Sequence, residues 1–228
     1  MRGTLSSVKA AVKTDRLVSS FVRVGHVPQK VTPDASRRSE TARRAILAAA
    51  LDLVGEVGYA KLTIEGIAAA AGVGKQTIYR WWPSKGSLLF DAFLTLAGDG
   101  QDGQDAALPD TGDLAADMKT VLRATVAELN EPRYDQPMRA LHTEIVHDPA
   151  LAADYAKRLD GPMRELKKNR LRAAQRAGQM AEDVDLDVAV DMLFGPILNR
   201  WLQRTGPLTP EYADRVVDTA LRGLRPRS

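Results

Sequence analysis

The sequence predicts an all-α protein: an N-terminal three-helix helix-turn-helix head followed by a helical-bundle regulatory domain, about nine helices in all. Three observations carry this expectation. Apolar residues recur at three- and four-residue spacing, as in Ile46, Leu47, Ala50, Leu51 and Val54. Glycines and prolines punctuate the chain at helix-length intervals, among them Gly58, Pro83, Gly178 and Gly206-Pro207. No segment sustains the apolar/polar alternation of a half-buried strand.

Residues 1–36 are basic, with Asp15 and Asp34 as their acids, and read as a loosely ordered extension. Leu17, Val18, Phe21, Val22 and Val24 outline a weak helical pattern, interrupted by Pro28 and Pro33. Lys9, Lys13 and Arg16 break up any apolar signal core. Residues 37–84 form the expected head. Its first helix runs over Ser39–Val57 and stops at Gly58. Thr63 caps a second helix containing Ile64, Ile67 and Ala68. Ala71-Gly72-Val73-Gly74 makes a tight turn, and a third helix spans Lys75–Trp82, stopped by Pro83.

Residues 85–228 form the expected effector-binding and dimerisation domain. Ser84 caps a helix from Lys85 to about Ala97, and the Gly/Asp-rich 98–112 reads as a surface loop. Further helices are expected near 113–129, 136–146, 149–158, 162–177, 187–204 and 210–223, with Pro132, Pro137, Asp148-Pro149, Gly161-Pro162, Gly178, Gly206-Pro207 and Pro210 as the breaks between them. Thr209 is a cap with Pro210 at the first helical position. Asp183, Asp185 and Asp187 read as helix-start acids.

Composition excludes several chemistries. The 228 residues contain no cysteine, which removes disulfides, thiolate metal sites and cysteine nucleophiles. Three histidines argue against a catalytic zinc or histidine relay, and no cofactor is expected. The longest strictly apolar run, Ala45–Leu51, is far too short for a membrane span, so a cytoplasmic protein without a membrane partner is expected. Gly74-Lys75 falls short of a phosphate loop, because Gln76 stands where Ser/Thr is required and Ala69 where the first glycine belongs. His142 and His147 are poorly spaced for joint metal ligation. No serine–histidine–acid order has local support, and no enzymatic activity is expected.

The net charge of +3 hides an asymmetry. Residues 1–90 carry a net of +8 and residues 91–228 a net of −5. A basic head on an acidic remainder suits a polyanion partner, and the head's architecture makes that partner double-stranded DNA. The first turn of the third helix offers Lys75, Gln76 and Thr77, whose side chains suit guanine, adenine and the thymine methyl respectively. Thr63, Tyr79, Arg80, Ser84 and Lys85 suit phosphate oxygens, and Arg43 and Arg44 add charge just upstream. The competing reading is a helical adaptor without sequence-specific DNA binding, its basic head merely a solvated face.

The stretch Leu62–Leu89, LTIEGIAAAAGVGKQTIYRWWPSKGSLL, resembles the DNA-binding motif of the TetR/AcrR transcriptional regulators. The matching features are the Thr-Ile start of the second helix, the Ile-Ala-x-x-Ala-Gly-Val turn, Thr-Ile-Tyr in the recognition helix, and the Pro-Ser-Lys step into the next helix. Downstream, LHTEIVHDPAL (Leu141–Leu151), the Arg/Ala-rich helix ending at Gly178 and Leu193-Phe194-Gly195-Pro196 are similar to one group of that family's C-terminal domains. The resemblance implies a homodimeric repressor released from a palindromic operator by a small-molecule effector. It implies base reading by Lys75, Gln76 and Thr77, with phosphate contacts from Thr63, Tyr79 and Lys85. Two departures stand out: Gly74 sits where a serine cap is common, and Trp81 replaces a frequent histidine.

By the same resemblance the last two helices pair with a second copy. Met192, Leu193, Ile197 and Trp201 from one helix and Val216, Val217 and Ala220 from the other are the candidate interface, and the same spacing equally suits intramolecular core. Candidate lining residues for the effector pocket are Phe93, Met118, Leu122, Leu141, Tyr155 and Met163. The low aromatic content points to an aliphatic or amphiphilic ligand.

Overall fold

The computed structural model describes residues 33–98 and 107–225. The weak helical pattern at 17–24, and most of the expected extension and Gly/Asp loop, lie outside them. Ten α-helices make up the described residues, with one short 3-10 turn and one π turn.

The first helix, α1 (Pro33–Val57), starts before Ser39, because Pro33 serves as a first-turn residue rather than a breaker. After the 3-10 turn Tyr59–Lys61 come α2 (Ile64–Ala70) and α3 (Lys75–Tyr79). Thr63 caps α2 by accepting the Gly66 N–H at 3.0 Å. The third helix is shorter than expected: the Trp81 and Trp82 amides both turn back to the Ile78 carbonyl, closing it at Tyr79. Helix α4 (Lys85–Gly98) is opened by a reciprocal pair. Ser87 N–H donates to Ser84 Oγ at 3.1 Å and Ser84 N–H to Ser87 Oγ at 3.2 Å, a serine version of the capping box.

Helices α5 (Leu114–Leu129) and α6 (Pro132–Ile145) follow. The sequence reads Pro132 as a stop and starts the helix near 136; instead Pro132 is its first residue, where a missing N–H costs nothing. Pro137 sits one turn further in and is buried. Helix α7 (Pro149–Tyr155) does not end at Gly161-Pro162 as expected. It runs through a π turn, Ala156–Asp160, directly into α8 (Gly161–Arg176). The Gly161 amide reaches back five residues to the Ala156 carbonyl. That longer loop suits a proline at 162, whose ring would press on the carbonyl of Arg158 in an ordinary α-turn. Gly161 also fits by size, since a Cβ there would stand 2.8 Å from the Ala156 carbonyl oxygen.

Helix α8 stops at Gly178, whose φ of 69° is left-handed; the Gln179 amide closes the end on the Ala174 carbonyl at 2.9 Å. Helices α9 (Leu186–Gln203) and α10 (Pro210–Leu224) complete the chain. Asp185 caps α9 through the Asp187 and Val188 amides, and Thr209 caps α10 through the Tyr212 amide.

Two cores hold the molecule. The first joins α1–α3 to α4, α6, α7 and Trp201 of α9, with Ile46, Ile67, Ile78, Leu88, Phe90, Phe93 and Leu141 fully buried. The second packs α5 against α8, α9 and α10 around Met118, Leu122, Leu193, Ile197 and Val217. Each such side chain contributes roughly 1.5–3 kcal/mol of transfer free energy. One ion pair is buried with the second core. Arg170 Nη2 donates to Asp117 Oδ2 at 2.7 Å, and its Nε donates to the Pro109 carbonyl at 2.8 Å. Thr111 supplies two more donors to the same carboxylate, so the chain entering α5 is fastened to α8.

Candidate nucleic-acid interface and ligand cavity

The recognition segment is anchored by two side chains. Ile78 is fully buried, and Trp82 is buried with its indole N–H on Asp91 Oδ2 at 2.9 Å. Helical spacing then turns Lys75, Gln76, Tyr79 and Arg80 outward, all exposed, with Thr77 half-buried between them. Tyr79 is 55% exposed, unusual for a large ring without a partner surface. Lys75 Nζ lies 2.8 Å from Glu65 Oε1 of α2, and this carboxylate raises the lysine's pKa. Gly74 supplies no side-chain cap. Arg80 lies against the Trp81 ring at 5.1 Å, so Trp81 acts as a shelf for the guanidinium.

The candidate phosphate contacts divide. Thr63 is exposed while capping α2, and Ser84 is half-buried in its cap with Ser87. Arg44 is exposed, with Glu40 at 4.0 Å. Arg43 turns inward, 3.3 Å from Asp91 Oδ2. Lys85 is half-buried, its ammonium donating to the carbonyls of Tyr59 and Leu62 at 3.1 Å each and lying 3.9 Å above the Tyr59 ring. Arg43 and Lys85 are therefore engaged in holding the head together.

A cavity of about 210 Å³ lies between α5, α6, the α7–α8 run and α9. Of the candidate pocket residues Tyr155 and Met163 line it; Phe93 and Leu141 belong to the first core, and Met118 and Leu122 to the second. Its other walls include Leu129, Met138, Leu159, Val190, Phe194 and Ile197. The polar groups are His142, Asp160, Arg164, Lys167 and Asp191. His142 stands edge-on to the Tyr155 and Trp201 rings, each at 5.8 Å, and burial lowers its pKa. Burial likewise pushes the Tyr155 hydroxyl up. Lys167 Nζ sits 4.0 Å over the Phe194 ring, and burial pushes its pKa down to about 8. None of these polar groups stands out in sequence, because each lies among ordinary helix-surface charges.

The residue that the sequence did hint at is Asp91, a lone acid inside the apolar run Leu88–Leu94. It gathers Trp82, Arg43 and Arg158, the last at 2.7 Å from Oδ1. Arg158 belongs to the π turn whose Leu159 and Asp160 line the cavity. A polar chain thus runs from cavity wall to recognition segment.

Of the seven candidate interface residues, Met192 reaches the surface; Leu193, Ile197, Trp201, Val216, Val217 and Ala220 are buried within the protomer. Trp201 also donates to Asp135 Oδ1 at 2.6 Å, tying α9 to α6. The apolar side chains that α9 leaves exposed are Val188, Met192 and Leu198. Among the described residues no helix is long and apolar enough to cross a membrane.

Comparison with known proteins agrees with this geometry. Residues 46–92 match the family described as bacterial regulatory proteins, tetR family, and residues 108–220 match the tetracyclin repressor-like C-terminal domain. The uncharacterized HTH-type transcriptional regulator YdeS of Bacillus subtilis is 33% identical over 192 residues, covering 84% of this chain and 93% of that protein. The DNA-binding transcriptional repressor TetR of Mycobacteroides abscessus is 30% identical over 191 residues, covering 81% and 94%. The crystal structure of the TetR family regulator SCO0332 superposes with a TM-score of 0.63 at 34% identity, covering 81% of this chain and 99% of that one. An outward recognition segment on a buried anchor, a helical domain behind it and relatives over most of its length lead to one conclusion: the chain belongs to the TetR family of helix-turn-helix transcriptional regulators, non-enzymatic DNA-binding proteins.

Proposed function

We propose that this regulator is a dimeric repressor that binds a palindromic operator and leaves it when a small molecule enters the cavity beside α9. The observation that carries the reading is the anchored, outward presentation of Lys75, Gln76, Tyr79 and Arg80. Lys75, Gln76 and Thr77 read bases; Thr63, Tyr79, Arg80, Ser84 and Arg44 hold phosphates. Arg43 and Lys85 add positive potential while serving the head's own structure. Repression rather than activation is favoured by the name of the Mycobacteroides abscessus relative.

Dimerisation uses the exposed strip Val188, Met192 and Leu198 with the outer face of α10, where Gly223 lets Met192 approach. Helix α9 lines the cavity with Val190, Phe194 and Leu198 and carries Val188 and Met192 on the adjoining face, so Leu198 sits at the border of the two. Ligand packing against Val190 and Phe194 therefore acts on the helix that sets head spacing. The π turn, Arg158 and Asp91 carry the same displacement to Trp82 and α1. A complete switch from 1:99 to 99:1 requires about 5.5 kcal/mol of differential affinity.

In vitro selection of bound duplexes tests the reading. The expected product is a palindrome with half-sites about 34–36 Å apart, or a multiple of that spacing. Binding should fall linearly with log salt. A protein that selects no sequence, and ignores duplex DNA at low salt, is instead the helical adaptor.

A further inference from the structure

We propose that the cavity binds a small amphiphile bearing one carboxylate, which docks on Lys167 Nζ while its apolar body lies along Phe194, Met163 and Leu159. This rests on the effector-cavity reading above and narrows it to one ligand class.

The argument begins with pairing. The other cation lining the cavity, Arg164, already has acids, as does the neighbouring Lys168. Arg164 lies 2.6 Å from Asp191 and 3.2 Å from Asp187, and Lys168 on the same helix lies 2.9 Å from Asp187. Among the described residues Lys167 has no hydrogen bond or ion pair; its neighbour is the face of Phe194. A ring face recovers only part of the hydration an ammonium gives up. Asp160, the remaining acid of the wall, is exposed on the π turn, where water screens it. The site thus holds one poorly hydrated cation against an apolar floor, with no acid hydrogen-bonded to it and Asp160 and Asp191 acting on it only through space.

An entering carboxylate supplies the missing charge-assisted hydrogen bond, which is strong where water is excluded. A cationic ligand would oppose Lys167 at close range. A neutral one could accept a hydrogen bond but would supply no opposite charge, while displacing water from the ammonium. The volume of about 210 Å³ lies below the usual range for a drug-sized ligand, so the occupant is small.

Protonation agrees in direction. Lys167 faces Asp160 from the π turn, Arg164 on its own helix, Asp191 from α9, and His142 and Tyr155 from α6 and α7. With its pKa pushed down to about 8, it is mostly charged at neutral pH and loses that charge just above it. A bound carboxylate favours the charged form, so binding takes up protons near pH 8 and weakens as pH rises further.

The test is calorimetric titration of the full chain with octanoate, 1-octanol and octylamine, which share one chain length. Octanoate should bind about tenfold or more tightly than either analogue. Lys167→Met should erase that advantage and Lys167→Arg should keep it. Should Lys167→Met fail to fold, the wild-type protein decides: octanoate affinity must fall between pH values of about 7 and 9.5, with proton uptake. Octanol or octylamine matching octanoate, an advantage surviving Lys167→Met, a flat pH profile, or no binding of octanoate overturns the proposal. Operator release is read separately: octanoate that binds without displacing DNA leaves the ligand class standing and removes the effector reading.

Discussion

Arg158 Nη2 lies 2.7 Å from Asp91 Oδ1, and this contact bonds the wall of the cavity to the helix that leaves the recognition segment. Both side chains are largely sheltered from solvent, at 27% and 17% exposure. Asp91 offers its other oxygen to Trp82 and Arg43, so one carboxylate joins three elements.

Severing the pair from the cavity side should uncouple the two halves without dismantling the head. Arg158→Met leaves Trp82 and Arg43 on Asp91. Operator binding should persist while its response to a cavity ligand shrinks, as read by fluorescence anisotropy. A double-mutant cycle with Asp91→Ala in urea unfolding should return about 0.5–3 kcal/mol of coupling. Coupling near zero would mean that the contact transmits nothing.

Base reading and phosphate holding should separate in competition binding. Gln76→Ala should cost about 1–3 kcal/mol on the selected operator and little on random duplex. Tyr79→Phe, which removes one exposed hydroxyl, should weaken both equally. Glu65→Gln frees Lys75 from its 2.8 Å partner and removes a negative charge from this face. Random duplex should therefore bind more tightly.

Lys85 should be felt first in stability. Its ammonium serves the Leu62 carbonyl and shares the Tyr59 carbonyl with the Leu62 amide. Lys85→Met should lower unfolding free energy by about 1.5–3 kcal/mol, whereas exposed Arg44→Ala should leave the denaturation midpoint in place and weaken DNA binding alone. Equal midpoints for the two variants would show that the Lys85 contacts are incidental.

Asp117 makes the second core acid-sensitive. Burial pushes its carboxyl up, but hydrogen bonds from Arg170 and Thr111 pull it down further, and the net shift is downward. A folded-state pKa below the unfolded value of about 3.9 means that the unfolded chain binds the proton first as pH falls. The contribution is thus complete above about pH 4 and lost below it as pH falls through the depressed value. Asp117→Asn should flatten this part of the stability profile. Asp117→Ala should cost about 3–5 kcal/mol at neutral pH by stranding Arg170.

Much of the head was legible because its signals are local. Thr63 lies beside the amides it caps, Gly72 holds a φ of 65° in the turn, and Ile78 and Trp82 follow helical spacing. What escaped depends on partners distant in sequence. Arg170 reads as one more charge on a basic helix until Asp117, on α5, is folded against it. Lys167 differs from Lys168 only in which side of α8 meets Phe194. Pro132 and Pro162 resemble stops in sequence because proline is ambiguous: it ends a helix from within and begins one from its first turn. For the α9 candidates, apolar spacing identified a buried face without distinguishing the protomer's own core from a partner.

From Pro149 to Arg176 the backbone never leaves helical geometry, and the π turn adds a residue within that run. Deleting one residue of α8 between Met163 and Lys167, beyond the π turn that could absorb the loss, would rotate everything downstream by about 100°. Lys167 would swing off the cavity, and Arg170 would lose Asp117, with composition almost unchanged. In α8 chain length is a stricter constraint than residue identity: substitutions at exposed Ala156 and Lys157 should be tolerated where a single-codon deletion between Met163 and Lys167 is not.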